Sequence, residues 1–597
     1  MTQTDQSALP TPGTGDGHPP RGRARHAPGA TGLLARLGWA TGRRTASPAP
    51  RTREDELLAV HPALVRDAGL LAEVRADLTP AAARAENLTL ATAALTGHGI
   101  PYVLAEDARR PDEPERHHVA VPLEHRAAAL QALETACAGR HVYLEPISWG
   151  PGPGPGLAPG LTAAVAAAEA CPDQADAPQR LIRGVRVFRP FVTPSRSLRY
   201  GAEHGCEIKF WQPCDGPDGG AIVPYGDTRA GWWVPSLAPA ARVTVAGRHH
   251  GVPAAFARRL VEDVDFPIDA VYTWVDDTDP RWRERCARSA VPTPPSAAGR
   301  PHGTEPERFR NRDELRYSLR SLAMYAPWIR HVHLVTDDQV PDWLDTGHPG
   351  ITVVPHRELF DDPSVLPVFN SRAIESQLHR IEGLTEHFVY FNDDMFLGRE
   401  LGPGFFFQSN GAARLFQDAV IPPNAVRSED DAYTAGQKNT RDAVAGRHGR
   451  TPVRTFSHAP RAAHRSLLAL NTTEFTAELN RTAAETFRAH GSLSPFTLYG
   501  YTAYLTGRAV FAEADEVFLD IGRPDGLRRL PELLAERRAA VFCLNDVTTG
   551  VVDPAVQDAA VRAFLDAYLP VPGPFEKPVP PSLPQPARPA PVNALIE

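Results

Sequence analysis

The stretch Ile268-Asp-Ala-Val-Tyr-Thr-Trp-Val275 is a β-branched and aromatic run that ends directly in Asp276, Asp277 and Asp279. Two later stretches repeat the pattern. Val332-His-Leu-Val-Thr336 runs into Asp337 and Asp338, and Phe388-Val-Tyr-Phe391 runs into Asn392, Asp393 and Asp394. Short apolar runs bounded by polar residues read as buried strands. Helical patterns lie between them: Glu314–Tyr325 places Leu315, Leu319 and Leu322 on one face, and Ile374, Leu378 and Ile381 form a stripe that ends at Gly383. Strand, helix, strand, helix, strand predicts an α/β domain with a mainly parallel sheet. In such sheets ligands bind beyond the carboxyl ends of the strands, where all three acidic clusters would lie. Clustered carboxylates repel unless a cation compensates them, so a hard divalent ion, Mg²⁺ or Mn²⁺, shared with substrate phosphates is the expected partner. The plainer reading is that an Asp after a strand caps a helix or forms a turn.

Around this centre the chain divides by composition. Its 597 residues predict two or three domains. Residues 1–55 carry eight arginines between Arg21 and Arg53 with no acid in that interval, which predicts a disordered basic arm. Leu33, Leu34, Leu37 and Trp39 among these arginines give a second reading, a short helix drawn peripherally to anionic lipid. Residues 56–180 read as a small α+β region and 181–262 as a β-rich segment preceding the catalytic domain at 263–570. From 571 to 597 proline dominates, which predicts an extended tail without a core. The prolines interleaved in the glycine run at Gly150 remove the N–H groups that cradle phosphate, so that run is a loop.

Several functional classes are excluded. The lysines, Lys209, Lys438 and Lys577, do not follow glycine, so no P-loop is present. The six cysteines form no C-x-x-C pair, which argues against a zinc ribbon or a disulfide scaffold. A net charge of −8 gives no case for nucleic acid as a partner. No apolar run is long enough to span a bilayer and no secretory signal is visible, so the chain reads as cytoplasmic, at the inner face of the membrane if the basic arm binds lipid. The sequons at Asn87 and Asn471 read as chance. Arg308, Arg310 and Arg312 stand at a helix N-terminus, where the macrodipole disfavours cations and an anion would relieve the conflict; salt bridges to Asp313 and Glu314 are the plain alternative.

Four blocks carry a resemblance to a known family: IDAVYTWVDDTDPRW (268–282), RFRNRDELRYSLRSLAMYAPWIRHVHLVTDDQVPDWL (308–344) continuing into FNSRAIESQLHRIEGLTEHFVYFNDDMFLG (369–398), the segment 457–488, and the segment 542–577. Together they resemble the Stealth hexose-1-phosphoryl transferases, a family that includes bacterial capsule phosphotransferases and the animal N-acetylglucosamine-1-phosphotransferase. The resemblance covers about half of the chain and leaves residues 1–265 outside it. It implies a Rossmann-like nucleotide-sugar transferase fold and a divalent cation. It also implies transfer of a sugar 1-phosphate from a nucleotide-diphosphate sugar, usually a UDP-sugar, to a glycan hydroxyl, with release of UMP.

Carried over by motif, Asp276 and Asp279 sit at the donor site, and Arg310, Asp313, Glu314 and Arg316 line the diphosphate pocket. Asn370, Ser371 and Glu375 shape the sugar pocket. Asn392, Asp393 and Asp394 hold the metal, while His458, Arg488, Asn545 and Asp546 complete the site. The metal held by Asp394 and its neighbours, with Arg316 and Arg488, neutralises the diphosphate, and His458 is the candidate base.

Three departures from the family pattern stand out. Asp277-Thr278 replaces Gly-Ser, Asn311-Arg312 replaces Asp-Asn, and Arg372 stands where His is usual. Two rival functions remain open: a glycosyltransferase that leaves the nucleoside diphosphate, and a glycan-binding homologue without turnover.

Overall fold

The structure, a computed structural model, describes residues 50–147, 156–157, 183–213, 220–222, 227–290, 306–548 and 550–578. The basic arm up to residue 49, most of the Gly-Pro run after Gly150 and the end of the proline tail lie outside the described residues. The catalytic half contains, in chain order, β1 (Ile268–Thr273), α1 (Glu314–Tyr325), β2 (Val332–Thr336), β3 (Ile351–Pro355), α2 (Ser371–Glu375), β4 (His387–Asn392), β5 (Met395–Leu397), β6 (Arg461–His464), α3 (Pro495–Leu505), β7 (Glu516–Asp520), β8 (Val541–Asn545) and α4 (Pro554–Tyr568). Its main sheet has the order β3-β2-β1-β4-β6, with the first four strands parallel and β6 antiparallel. A second sheet, β5-β8-β7, brings the end of β8 beside the turn that follows β4.

This is the α/β arrangement expected from the three acidic-ended runs. β2 is buried at every position and β1 at every position but its last, the signature of a strand covered on both faces. α1 has the expected bounds. The Ile374–Ile381 stripe does not form one helix. It breaks into α2 and a 3₁₀ turn at Leu378–Arg380. Ser376 Oγ bonds back to Ala373 O, Gln377 N bonds to Ile374 O and Arg380 N to Gln377 O, so i to i+3 bonds replace the α ladder.

Two expected boundaries shift. Strands Val103–Glu106, His117–Pro122 and Tyr143–Ile147 share one sheet with Gly184–Phe188 and Cys206–Pro213, so residue 180 divides no folded unit. Leu78, Phe191 and Tyr200 join the same apolar core as β1 and β4, and Arg84 makes a bidentate pair with Glu400, both bonds at 2.6 Å. Arg53–Glu597 accordingly form one compact unit. The expected tail beginning at 571 is also corrected: Phe575 is buried, and Glu576 binds Arg316 and Arg320 of α1. Among the described residues, no helix is long and apolar enough to cross a membrane. Asn87 and Asn471 are 0% and 2% exposed, which closes both sequons to modification in the folded chain.

Candidate functional site

The acidic strand ends meet different fates. After β1, Asp276 accepts from Thr278 N and Oγ1 at 2.9 and 2.8 Å, while Asp279 caps the helix Pro280–Ser289 and also accepts from Gln339. After β2, Asp337 holds Arg285 at 2.7 Å and Asp338 pairs with Arg357. These carboxylates follow the plainer reading of caps, turns and ion pairs. Asp277 accepts from Asn311 N at 3.1 Å, and its backbone needs no positive φ, so the side chain in place of glycine is accommodated.

The cluster after β4 is different. Asp394 Oδ2 accepts from Asn545 Nδ2 at 2.8 Å and from the Cys543 thiol at 3.3 Å, with His458 Nε2 3.6 Å away. The His458 ring nitrogen also lies 3.4 Å from the Asn392 amide and 3.3 Å from that of Asn545. Asp394 Oδ1 and Asn392 Oδ1 are buried without any hydrogen-bond partner. An orphaned carboxylate oxygen costs free energy that a cation would recover. Ligand atoms of Asp394, His458 and Cys543 all lie within 4.8 Å of one another. Burial and the Asp394 charge push the Cys543 thiol well up. Although burial opposes it, His458 and the donors from Asn545 and Cys543 hold Asp394 below the usual carboxylate range. Burial, Asp394 and Glu314 drive Asp393 well above that range. The donor set of one carboxylate, one imidazole and the Asn392 amide oxygen suits a hard or borderline divalent ion.

A network from α1, β8 and α4 flanks this centre. Arg312 bonds Asp546 and Asp558, each at 2.6 Å, and its backbone N–H donates to Glu314 at 2.6 Å. Arg310 reaches Gln557 at 3.2 Å and Asp546 at 3.5 Å, and Asp313, in the left-handed region, faces Arg562. Burial raises the Glu314 carboxyl despite Arg312. Here the salt-bridge reading of the Arg308–Arg316 run holds for Arg312. Arg316 departs from its expected place: Glu576 takes it at 2.6 Å, because two positions beyond Glu314 it leaves α1 on another side.

A cationic group forms around α2. Asn370 caps the helix through Arg372 N at 3.1 Å, and Ser371 Oγ accepts from Arg488 at 2.7 Å. Burial, Arg308 and Arg372 push Arg488 down to about 9, against the pull of the buried Glu375. Arg372, 3% exposed, donates to the carbonyls of Ala432 and Tyr433 at 2.7 and 3.2 Å. Tyr390, whose hydroxyl bonds Thr273 at 2.8 Å, is the electrostatic neighbour of both Arg488 and Arg461.

Residues 266–288, 308–415 and 531–586 match the Stealth protein conserved regions CR1, CR2 and CR4. The chain is 42% identical over 535 residues to the exopolysaccharide phosphotransferase SCO2592 of Streptomyces coelicolor, covering 88% of this chain and 54% of that one. It is 39% identical over 566 residues to the exopolysaccharide phosphotransferase SCO2594 of the same organism, covering 87% of this chain and 89% of that one. The chain belongs to the Stealth family. It spans about half the length of the first of these relatives and most of the second. Among solved structures, the galactosyltransferase LgtC with donor and acceptor sugar analogues aligns over 53% of this chain and 98% of its own at 10% identity, with a TM-score of 0.27, too low to bear on the site.

The structure brings together Asn392, Asp394, His458 and Asn545 at one point, and Ser371, Glu375 and Arg488 at another, with His458 and Arg488 outside the three matched regions. Asn370 acts through the cap of α2, and Asp546 through Arg312. Cys543 and Arg461 were missed by the sequence reading. Cys543 sits two residues before Asn545 on a strand that the sequence reads as plain core, and the only signal for Arg461 is a cation three residues past His458 in an otherwise apolar run.

Proposed function

We propose that the protein transfers a sugar 1-phosphate from a nucleotide-diphosphate sugar to a hydroxyl of a glycan acceptor. The product is a phosphodiester in a cell-surface polysaccharide, and the leaving group is UMP when the donor is a UDP-hexose or UDP-N-acetylhexosamine. The observation that carries this reading is the orphaned, buried Asp394 Oδ1 beside His458, Asn392 and Asn545, in a catalytic half that also groups Arg308, Arg372 and Arg488. A cation site next to an arginine cluster is what a diphosphate donor requires. The names of the Stealth relatives support the sugar-phosphate class.

Asp394, His458 and the Asn392 amide oxygen would hold Mg²⁺ or Mn²⁺, which supplies charge neutralisation at the diphosphate. Arg488, fixed by Ser371, and Arg308 orient the phosphate oxygens. The acceptor oxygen attacks the phosphorus that bears the sugar, the bond from that phosphorus to the bridging oxygen breaks, UMP leaves with the bridging oxygen, and the hydroxyl proton passes to a base.

The test is direct binding of Mn²⁺ followed by calorimetry. The full chain is expected to bind it, and Asp394→Asn is expected to lose that binding while keeping the wild-type circular dichroism spectrum. Equal Mn²⁺ affinity in the two proteins would remove the assignment.

A further inference from the structure

β7 is the outer strand of the sheet β5-β8-β7, and its register with β8 pairs Glu516 with Val541, Phe518 with Cys543 and Asp520 with Asn545. Paired residues of parallel strands point to the same face. One face is core: Leu519, Phe542 and Leu544 are buried there, with Val517 packed against them. The other face carries Cys543 and Asn545, whose side chains donate to Asp394, so Phe518 is on the face that looks to the Asp394 group. The centroids of the Phe518 and His458 rings are 6.1 Å apart, with the ring planes at 80°. The two neighbours of Phe518 on this face are engaged: Glu516 accepts from Ser457 Oγ at 2.6 Å, and Asp520 accepts from Thr548 Oγ1 at 2.5 Å. Phe518 itself is 49% exposed. His458 and Asp394 also keep some exposure, so solvent reaches both the ring and the group beside it.

A lone apolar side chain on a protein surface needs no explanation. A half-exposed ring set against an imidazole at the proposed cation site is a different case, because substrate that arrives at the cation covers it. In sugar 1-phosphate transfer the phosphorus at the cation carries the donor sugar on one oxygen and receives the acceptor hydroxyl, whereas the nucleoside is one phosphate further away. The groups nearest the cation are therefore pyranose rings, and the C–H face of such a ring covers an aromatic side chain. We propose that Phe518 is the platform on which a pyranose ring of the substrate lies beside the cation, a contact for the sugar and not for the nucleotide. This inference rests on the sugar-phosphate transfer reading.

The experiment is calorimetric titration of the full chain, Phe518→Ala and Phe518→Trp in the presence of Mn²⁺. One arm compares UDP with UDP-glucose and UDP-N-acetylglucosamine. The other titrates the glucose and N-acetylglucosamine trisaccharides in saturating UDP. Phe518→Ala is expected to weaken sugar binding about three- to tenfold in one of the arms, and Phe518→Trp to retain it. A loss with the UDP-sugars identifies the donor ring, and a loss with the trisaccharides the acceptor ring. The affinities for UDP and for Mn²⁺ are expected to be unchanged, because the substitution removes neither a ligand atom nor an arginine.

No loss in either arm, including an absence of sugar binding by the wild type, would overturn the proposal. So would an equal loss of UDP affinity, which would put the nucleobase on the ring, or a loss of Mn²⁺ affinity, which would make Phe518 a support for His458. Failure of the wild type to bind UDP defeats the donor reading instead, and the trisaccharide arm, run without UDP, then decides the role of Phe518.

Discussion

The Gly436→Ala substitution tests the cationic half of the site through a single methyl group. Gly436 lies inside the helix Ala432–His448, where alanine is worth about 1 kcal/mol more than glycine by propensity. A Cβ at this position would lie 2.6 Å from Arg372 Cζ, inside the space of a guanidinium that is 3% exposed and held by two backbone carbonyls. Overpacking costs about 1–3 kcal/mol, and each hydrogen bond from a charged donor that is lost costs about 1.5–3 kcal/mol. Set against the propensity gain, Gly436→Ala is expected to destabilise the chain by about 2–5 kcal/mol, read as a lower urea midpoint with an unchanged slope. It should also weaken UDP binding, because Arg372 belongs to the arginine cluster proposed to face the diphosphate. With Arg372→His, which restores the residue usual in the family, the methyl meets a shorter side chain, and the same substitution should be neutral or stabilising by up to about 1 kcal/mol. A neutral or stabilising Gly436→Ala in the wild-type background would refute the account of why glycine stands opposite Arg372.

The remaining predictions concern the metal site, the tail and the N-terminal sheet. Asp394→Asn should reduce turnover by at least about a hundredfold, and a folded variant with full activity would end its role at the cation site. Truncation after residue 578 should leave stability unchanged, whereas truncation after 570 should lower it by about 3–5 kcal/mol, because Glu576 is the carboxylate partner of the nearly buried Arg320 and also holds Arg316; equal melting of the two would refute the docked tail. Burial would raise the Asp107 carboxyl, but the hydrogen bond from His118 and the charge of Lys209 bring it down to about 2. A depressed carboxyl stabilises above its unfolded value near pH 4, and that stability, about 2 kcal/mol, is lost as pH falls toward 2. Asp107→Asn should flatten this part of the acid limb in a pH series of urea melts, and an unaltered limb would show that the pairing contributes nothing.

Periodicity made β1, β2, β4 and α1 legible, because strands buried on both faces and an amphipathic helix leave local patterns in the sequence. The break after α2 was not legible, since it depends on side-chain bonds to the backbone at Ser376 and on i to i+3 bonds at Gln377. The tail misled for a different reason: its proline content hides Phe575 and Glu576, whose partners lie about 250 residues earlier in the chain. Asp394, Asn545, His458, Ser371 and Arg488 were picked out by motif, yet their grouping into one cluster around Asp394 and another around Arg488 is a tertiary fact. The same limit explains Asp276, Asp279, Asp337 and Asp338, which look like Asp394 in sequence. They differ only because Thr278, Gln339, Arg285 and Arg357 already occupy them.

The central claim is that a phosphorylated sugar moves. The most direct measurement is the nucleotide product formed from UDP-hexose or UDP-N-acetylhexosamine with Mg²⁺ or Mn²⁺ and an oligosaccharide acceptor, beside a chelator control. Acceptor-dependent, chelator-sensitive release of UMP is the predicted result. Release of UDP under the same conditions would contradict it and make the protein a glycosyltransferase.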